Sequence, residues 1–185
     1  LKPKVRQKRY IELEGESKNI YDRLRTSALA IVEDSTISFS NKLTEIIKLH
    51  QVCNGFTKND DGEIMTLHKS KLKALEETLD ETDGKVIIWA NYLYNIHEIK
   101  KFLIDKYGPE STVSIYGEVS VQDRKDAVDR IQQDPKCRFL VGNPTTGGFG
   151  LTLTAVNTVI YFSNNYNLEI RKQSEDRAHR MGQKG

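Results

Sequence analysis

Residues 85–91 read KVIIWAN, and this stretch decides the fold. A continuous apolar run of this length is typical of a strand that is buried on both faces of a parallel sheet. Similar runs follow at 112–117, 137–143 and 157–163, and segments with helical apolar spacing lie among them. This alternation predicts an α/β fold in which helices sandwich a parallel sheet of about five or six strands. In such sheets ligands bind at the carboxyl ends of the strands.

The chain before this core is expected to be mostly helical. Residues 5–13 alternate in part and favour a strand. Apolar spacing predicts helices at 17–33, at 41–53 and from Ser70 onward, with a turn-rich loop at 54–63. We therefore expect two parts: a strand plus helical extension over residues 1–83, and the α/β core over residues 84–185.

Composition excludes several classes of protein. The 185 residues carry a formal net charge of only +2, so any contact with nucleic acid must be local. Cys53 and Cys137 form no CxxC pair and the four histidines are scattered, so neither a disulfide framework nor a metal site is expected. Without a signal peptide or a run of about 18 apolar residues, we expect a cytoplasmic fragment of a larger protein with no membrane partner.

The segment NPTTGGFGLTLT, residues 143–154, follows the third strand-like run of the core. Its three glycines and its proline permit a tight turn and close approach of a phosphate or a sugar. It is not a Walker loop, because GxxxxGK[ST] is absent. An ordinary strand-to-helix loop explains the glycines equally well when they are taken alone.

The segment QSEDRAHRMGQ, residues 173–183, lies on the predicted last helix, 167–181. Gln173, Arg177 and Arg180 are spaced i, i+4 and i+7, so they share one face within about 60°. Arginines on a charged helix are ordinarily solvated or paired, here with Glu175 or Asp176. Two guanidiniums that border a buried face instead suit a polyphosphate, whose oxygens accept bidentate hydrogen bonds. The expected buried face consists of Ile170, Ala178 and Met181.

The segment YGEVSVQDR, residues 116–124, joins a strand to a helix. Gly117 ends the strand and Ser120 begins the helix, with Asp123 at its third position. Free N–H groups at a helix start bind phosphates, so this turn is a candidate for gripping a nucleic-acid backbone. A helix cap with no further role is the simpler interpretation.

Taken together, these stretches resemble the second RecA-like lobe of superfamily 2 helicases, and specifically that of the Swi/Snf-type DNA translocases. The resemblance extends over nearly the whole chain. It is carried by KLTEIIKLHQVCNGF, by KVIIWANY as the fourth motif, by TTGGFGLTLTAVNTVIYFSNNYN as the fifth and by QSEDRAHRMGQ as the sixth. The segment SNNYNLEIRKQSEDRAHR is most similar to phage-borne members. The implied core is a RecA-like parallel sheet sandwiched by helices.

The resemblance implies a role for each matching residue. It makes Arg177 and Arg180 arginine fingers that act on ATP. Residues in the nucleotide-binding set are Gln173, Gly150 and Thr152. Residues that match DNA-contacting positions are Asn91, Tyr92, Gly117, Ser120, Thr145 and Thr146.

The implied protein is half of a DNA-dependent ATPase. ATP and Mg²⁺ would be held mainly by a first RecA-like lobe outside this chain, so the isolated chain is expected to be inactive. The partners would be that lobe and the backbone of double-stranded DNA. The protein would lie in the cytoplasm, in the host cytoplasm if it is phage-borne, or in the nucleus if it is eukaryotic. The alternatives are a non-catalytic nucleic-acid-binding module, an interaction domain without a ligand, and an RNA helicase lobe.

Overall fold

The computed structural model describes residues 4–33, 36, 38–59, 61–146 and 153–178. The chain divides into two compact units, Lys8–Glu77 and Leu1–Gln7 with Thr78–Gly185. The division expected after residue 83 stays a prediction. No helix in the described part of the chain is both long enough and apolar enough to cross a bilayer.

The unit Lys8–Glu77 is built on two helices that pack against each other, α1 (Gly15–Glu33) and α2 (Phe39–Cys53). Both agree with the apolar spacing. A short antiparallel hairpin follows, formed by β1 (Phe56–Lys58) and β2 (Ile64–Thr66). The turn-rich composition predicted only a loop there, because three-residue strands are too short to show a periodicity.

The expected strand at residues 5–13 is wrong. The described part of this segment forms neither helix nor strand, and Val5 and Tyr10 are 84% and 88% exposed. Alternation shows which side chains would share a face, but a strand also needs a neighbouring strand to accept its backbone hydrogen bonds. The described strands all pair elsewhere, so the alternating pattern has no ladder to join.

The second unit contains the parallel sheet that the sequence predicts. After α3 (Ser70–Asp80), which includes the boundary between the units, the elements alternate regularly. They are β3 (Lys85–Trp89), α4 (Leu93–Tyr107), β4 (Thr112–Ile115), α5 (Val121–Gln133), β5 (Phe139–Gly142), β6 (Val156–Tyr161) and α6 (Leu168–Ala178). The strand order is β4-β5-β3-β6 and every pairing is parallel. The described sheet has four strands, where the sequence predicted five or six.

The KVIIWAN stretch lies at the centre of this sheet, as its apolar run predicts. β3 pairs with β5 on one side and with β6 on the other, and Val86 to Ala90 are fully buried. Ile87 and Trp89 belong to a core cluster that also includes Ile131 of α5. Removing large apolar side chains from water stabilises a fold by roughly 1.5–3 kcal/mol for each. Because all four strands run parallel, their carboxyl ends meet at one edge of the sheet, which we call the carboxyl edge.

Candidate functional site

Asn143 connects three strand ends at the carboxyl edge. Its backbone N–H donates to the carbonyl of Ile115 at the end of β4, with N and O 3.0 Å apart. Its side-chain Nδ2 donates to the carbonyl of Asn91 (3.1 Å), and its Oδ1 accepts from the N–H of Thr145 (2.8 Å). One side chain therefore holds Asn91 and Thr145, both predicted DNA contacts, on opposite sides of itself.

Ser163 adds the fourth strand to this arrangement. It lies just after β6 and is buried, and its Oγ accepts from the N–H of Asn91 with N and O 2.8 Å apart. The backbone N–H and carbonyl of Asn91 are thus both occupied. The structure holds the peptide of Asn91 in place from two sides, whereas its half-buried side chain lies at the edge itself.

Gly142 permits the close approach of β4 and β5 beneath this edge. A Cβ atom built on Gly142 would lie 2.4 Å from the carbonyl oxygen of Ile115 and 3.1 Å from the Trp89 ring. Real side chains do not come so close to a backbone oxygen, so the position requires glycine. The requirement comes from strand packing and not from a ligand.

The Gly117–Ser120 turn is shaped by Arg124. The guanidinium of Arg124 donates to the carbonyls of Gly117 (3.0 Å) and Val119 (2.8 Å). Ser120 caps α5 as predicted: its Oγ accepts from the N–H of Asp123 (3.1 Å). That hydroxyl also donates to the Asp123 carboxylate (2.7 Å), so the helix start already carries a negative group. Gly117 is exposed, with open space where a Cβ would be.

The remaining predicted edge residues are described in part. Tyr92 occupies the cap position of α4 without a side-chain cap hydrogen bond. Thr145 is exposed and Thr146 is half-buried. Gly150 and Thr152 lie outside the described residues.

Two asparagines precede α6 and cap its start. Asn167 Oδ1 accepts from the N–H groups of Glu169 (3.0 Å) and Ile170 (3.2 Å), and Asn165 Oδ1 accepts from the N–H of Asn167 (3.1 Å). Side-chain oxygens at these positions satisfy N–H groups that the first helical turn leaves unpaired. The cap therefore determines where the helix starts.

The buried centre of α6 differs from the expected one. Ser174 is fully buried, and its hydroxyl forms a short hydrogen bond with that of Tyr161 at the end of β6. Ile170 is half-buried, so it belongs to this side as expected. Ala178 ends the described helix and Met181 lies outside the described residues. Apolar spacing could not find Ser174, because its burial depends on a hydroxyl partner on another element.

The predicted face of Gln173, Arg177 and Arg180, which we call the stripe, is described as far as Arg177, and this part lies beside the buried centre. Gln173 is exposed and its Nε2 donates to Oε1 of Glu169 (3.1 Å). Arg177 follows one turn later within α6, and Arg180 lies outside the described residues. At 100° per residue, Gln173 and Arg177 lie about 100° and about 60° from Ser174 on one flank of the helix. Glu175 lies about 100° from Ser174 on the opposite flank.

Glu175 has partners other than the stripe. Arg6 Nη2 donates to its Oε2 (2.8 Å) and Arg171 Nε donates to its Oε1 (3.1 Å). Burial by itself raises the pKa of Glu175, but the hydrogen bonds from Arg6 and Arg171 outweigh burial, and the pKa lies below its usual range. The carboxylate is therefore ionised at neutral pH.

Metal-binding groups are not clustered among the described residues: no three His, Cys, Asp or Glu side chains come together there. Both thiols are free, and burial raises the pKa of Cys53 and of Cys137.

A family comparison decides the class of the chain. The profile of the family described as "Helicase conserved C-terminal domain" matches residues 70–182. The chain belongs to this family. The matched range contains the whole sheet and α6, so it includes every element that carries a predicted site residue.

Solved structures agree with this assignment. The C-terminal part of the Fun30 ATPase domain superposes with a TM-score of 0.74 at 20% identity, over 96% of this chain and 80% of that one. The Sulfolobus solfataricus SWI2/SNF2 ATPase core in complex with double-stranded DNA superposes with a TM-score of 0.69 at 25% identity. The superposition covers 95% of the present chain and 37% of the Sulfolobus chain. The RecA-like fold and the Swi/Snf-type resemblance are confirmed.

Curated relatives are much longer proteins. An uncharacterized ATP-dependent helicase of Mycoplasma genitalium is 29% identical over 94% of this chain and 17% of its own length. The chromatin-remodeling ATPase INO80 of Kluyveromyces lactis is 28% identical over 84% of this chain and 10% of its own length. This helicase C-terminal chain thus spans less than a fifth of either relative. A phage origin and the cellular location stay predictions.

Sequence reasoning missed three residues that organise the site: Asn143, Ser163 and Arg171. Asn143 stood in the quoted glycine-rich segment, and an asparagine directly after a buried strand is a signal that could have been used. Ser163 and Arg171 gave no such signal, because their partners come from other elements.

Proposed function

We propose that this chain is the second lobe of a DNA-dependent ATPase of the Swi/Snf type. In this proposal α6 supplies Arg177 and Arg180 to ATP bound on a first lobe, and the carboxyl edge grips the DNA backbone. The observation that carries the proposal is that one sheet edge joins both regions. Asn143 and Ser163 tie Asn91 and Thr145 to the ends of the strands, and β6 holds α6 through Tyr161.

The side chains of α6 fit a phosphate better than a metal. Gln173 presents an exposed amide, and Arg177 follows on the same flank, whereas Glu175 lies on the other flank with its own cations. ATP would supply the phosphoryl group, and Mg²⁺ would neutralise part of the negative charge of the phosphates. Gln173, Arg177 and Arg180 would orient the outermost phosphate and stabilise the charge on its oxygens through planar, bidentate donors. Gly150 and Thr152 complete the proposed nucleotide set.

Two features support placing the rest of the nucleotide site elsewhere. The sequence has no GxxxxGK[ST] loop, and its described residues offer no cluster of carboxylates for Mg²⁺. The isolated chain would therefore turn over no ATP. An ATPase site divided between two lobes also makes hydrolysis depend on lobe closure, which is how such an enzyme couples ATP to movement along DNA.

The proposed DNA contact uses neutral groups. Asn91, Thr145 and Gly117 lie at or beside strand ends, and a net charge of +2 gives the chain little general attraction for DNA. Contacts of this type read the backbone and not the bases. We infer weak binding by the isolated chain without sequence preference. Tyr92, Ser120 and Thr146 complete the proposed contact set.

The test is steady-state ATP hydrolysis by the full-length protein on saturating duplex DNA. Arg180→Ala should lower kcat by about 10³-fold or more, as for other arginine fingers, while ATP affinity changes only a few-fold. Arg180→Lys should rescue poorly, since an ammonium lacks the planar fork. Full turnover in both Arg177→Ala and Arg180→Ala would refute the finger role. Tight, strongly salt-dependent DNA binding by the isolated chain would favour a non-catalytic module instead.

A further inference from the structure

α6 has two flanks on either side of its buried centre. At this centre α6 contacts the end of β6. The contact consists of hydrogen bonds among the hydroxyls of Ser174 and Tyr161 and the carbonyl of Arg171. One flank carries Gln173 and Arg177. The other carries Arg171 and Glu175, about 60° and about 100° from Ser174. The contacts of Arg171 and Glu175 described below lie on this second flank, whereas Asp176, about 160° from Ser174, lies on the outer face of the helix.

Arg171 is held by three different groups. Its guanidinium carbon lies 4.0 Å from the centre of the Tyr161 ring, a distance typical of a cation–π contact. Its Nη1 donates to Oδ1 of Asn164 (2.6 Å) and its Nε donates to Glu175 (3.1 Å). The side chain therefore links α6 to the last residue of β6 and to the loop that follows it.

Glu175 is also bound from the other end of the chain. Arg6 donates to its Oε2 (2.8 Å), and Lys4 Nζ lies 4.0 Å from the same oxygen and 2.6 Å from Oδ1 of Asp176. These partners are about 170 positions away in sequence. The side chain of Glu175 is only 13% exposed, so its pairs are screened less than ordinary surface pairs.

We propose that Arg171 and Glu175 are positioning residues for Arg177, and that residues 4–6 act as a strap that holds the flank opposite the stripe. This inference rests on the function proposed above. Among the described side chains of α6, Ser174 is the only one that is fully buried, so buried packing in this part of the helix restrains rotation about the helix axis only weakly. A turn of about 10° moves atoms about 6 Å from the axis by about 1 Å. A displacement of that size at a catalytic group costs on the order of 10²-fold in rate.

The contacts suit orientation better than general stabilisation. Arg6 is 69% exposed and Asp176 is 63% exposed, and pairs with so much solvent around them add little to the free energy of unfolding. However, Arg6 approaches α6 from a segment that is remote in sequence. Arg171 contacts Asn164 and Tyr161, which directly precede α6 in the chain. Contacts from two directions restrict rotation of a helix more than one contact does.

The experiment uses the full-length protein that carries this chain, with Glu175→Gln, Arg171→Ala and the double variant. Rates are divided by the folded fraction from thermal melting. Each single variant should lower kcat roughly tenfold, with KM for ATP unchanged within about twofold, because the finger acts mainly in the transition state. The double variant should lose no more than the worse single variant, since both residues act through one network. Arg171→Lys should stay low, because lysine lacks the fork.

The matched control is Asp105→Asn. It breaks another i, i+4 pair, Lys101 with Asp105 (2.6 Å), on α4, and should leave kcat unchanged. Arg177→Ala is measured in parallel. If Arg177→Ala loses turnover while Glu175→Gln and Arg171→Ala both keep it within twofold, the positioning role is refuted and the proposed function stands. If Arg177→Ala keeps turnover, the positioning role is refuted, and the proposed function is refuted as well if Arg180→Ala also keeps it. Losses that add in the double variant, or a raised KM, also contradict a shared positioning role.

Discussion

The carboxyl edge and α6 are held in place by different kinds of contact. At the edge, Asn143 and Ser163 bind backbone groups of neighbouring strand ends through uncharged side chains. On α6, Arg171, Glu175 and Arg6 form a charged network between remote segments. Neutral hydrogen bonds inside a sheet respond little to pH or salt, whereas ion pairs near a surface respond to both. The two regions should therefore be separable by solution conditions as well as by mutation.

This difference corresponds to the two roles proposed for the regions. A surface that grips a repetitive DNA backbone needs a constant shape, which strand ends provide. In the proposed function, α6 needs to be aligned only when the two lobes close. An anchor of ion pairs can tolerate that cycle of closure, because long charged side chains re-form their contacts readily.

The largest effect on stability is expected for Gly142→Ala. The new Cβ would meet the carbonyl of Ile115 at 2.4 Å, and backbone cannot move aside as a flexible side chain can. We expect a loss of about 1–3 kcal/mol in the free energy of unfolding, measured by denaturant titration. Gly117→Ala is the matched control: it has open space and should change stability little. Equal losses in both variants would contradict the close-packed edge.

A smaller loss is expected for Asn143→Ala. The substitution removes two hydrogen bonds and leaves the carbonyl of Asn91 and the N–H of Thr145 without these partners. For a half-buried side chain this should cost about 1–2 kcal/mol. The loss should be the same in low and high salt, because neither bond involves a charge. DNA affinity of the full-length protein should fall more than its maximal ATPase rate. A lower rate with unchanged DNA affinity would show that the edge does not grip DNA.

The smallest effect concerns pH and the α6 network. The pKa of Glu175 is lowered in the folded state, so its stabilising effect is present above the unfolded value, near 4.3, and is lost as pH falls through the folded pKa. The difference in melting temperature between wild type and Glu175→Gln should therefore be largest at neutral pH, begin to fall near the unfolded pKa and vanish once the pH is below the lowered folded pKa. It should also shrink in 1 M salt. A difference that persists at low pH would mean that Glu175 contributes by packing and not by charge.

The sequence was informative where the determinants are local. The apolar run of β3, the Ser120 cap of α5 and the helical spacing of α4 each depend on neighbours within a few residues, and each was predicted correctly. The family resemblance rested on longer motifs and was confirmed by the domain match.

The errors arose where a partner comes from elsewhere in the chain. Residues 5–13 have a strand-like pattern, but no described strand accepts them. Ser174 is buried because Tyr161 satisfies its hydroxyl, and a hydropathy pattern assigns a serine to the surface. The link between Arg6 and Glu175 joins opposite ends of the chain, and periodicity contains no information about such pairs. Roles for the predicted site residues stay predictions.

The most direct test of the account compares the two regions in one assay. ATP turnover by the full-length protein is measured against duplex DNA concentration for Arg177→Ala and for the double variant Thr145→Ala/Thr146→Ala. The account predicts that the α6 variant loses most of its maximal rate while the half-saturating DNA concentration stays within about twofold. The edge variant should raise the half-saturating DNA concentration and keep most of its maximal rate. If both variants change the same parameter, or if Arg177→Ala retains its maximal rate, the proposed division of roles is contradicted.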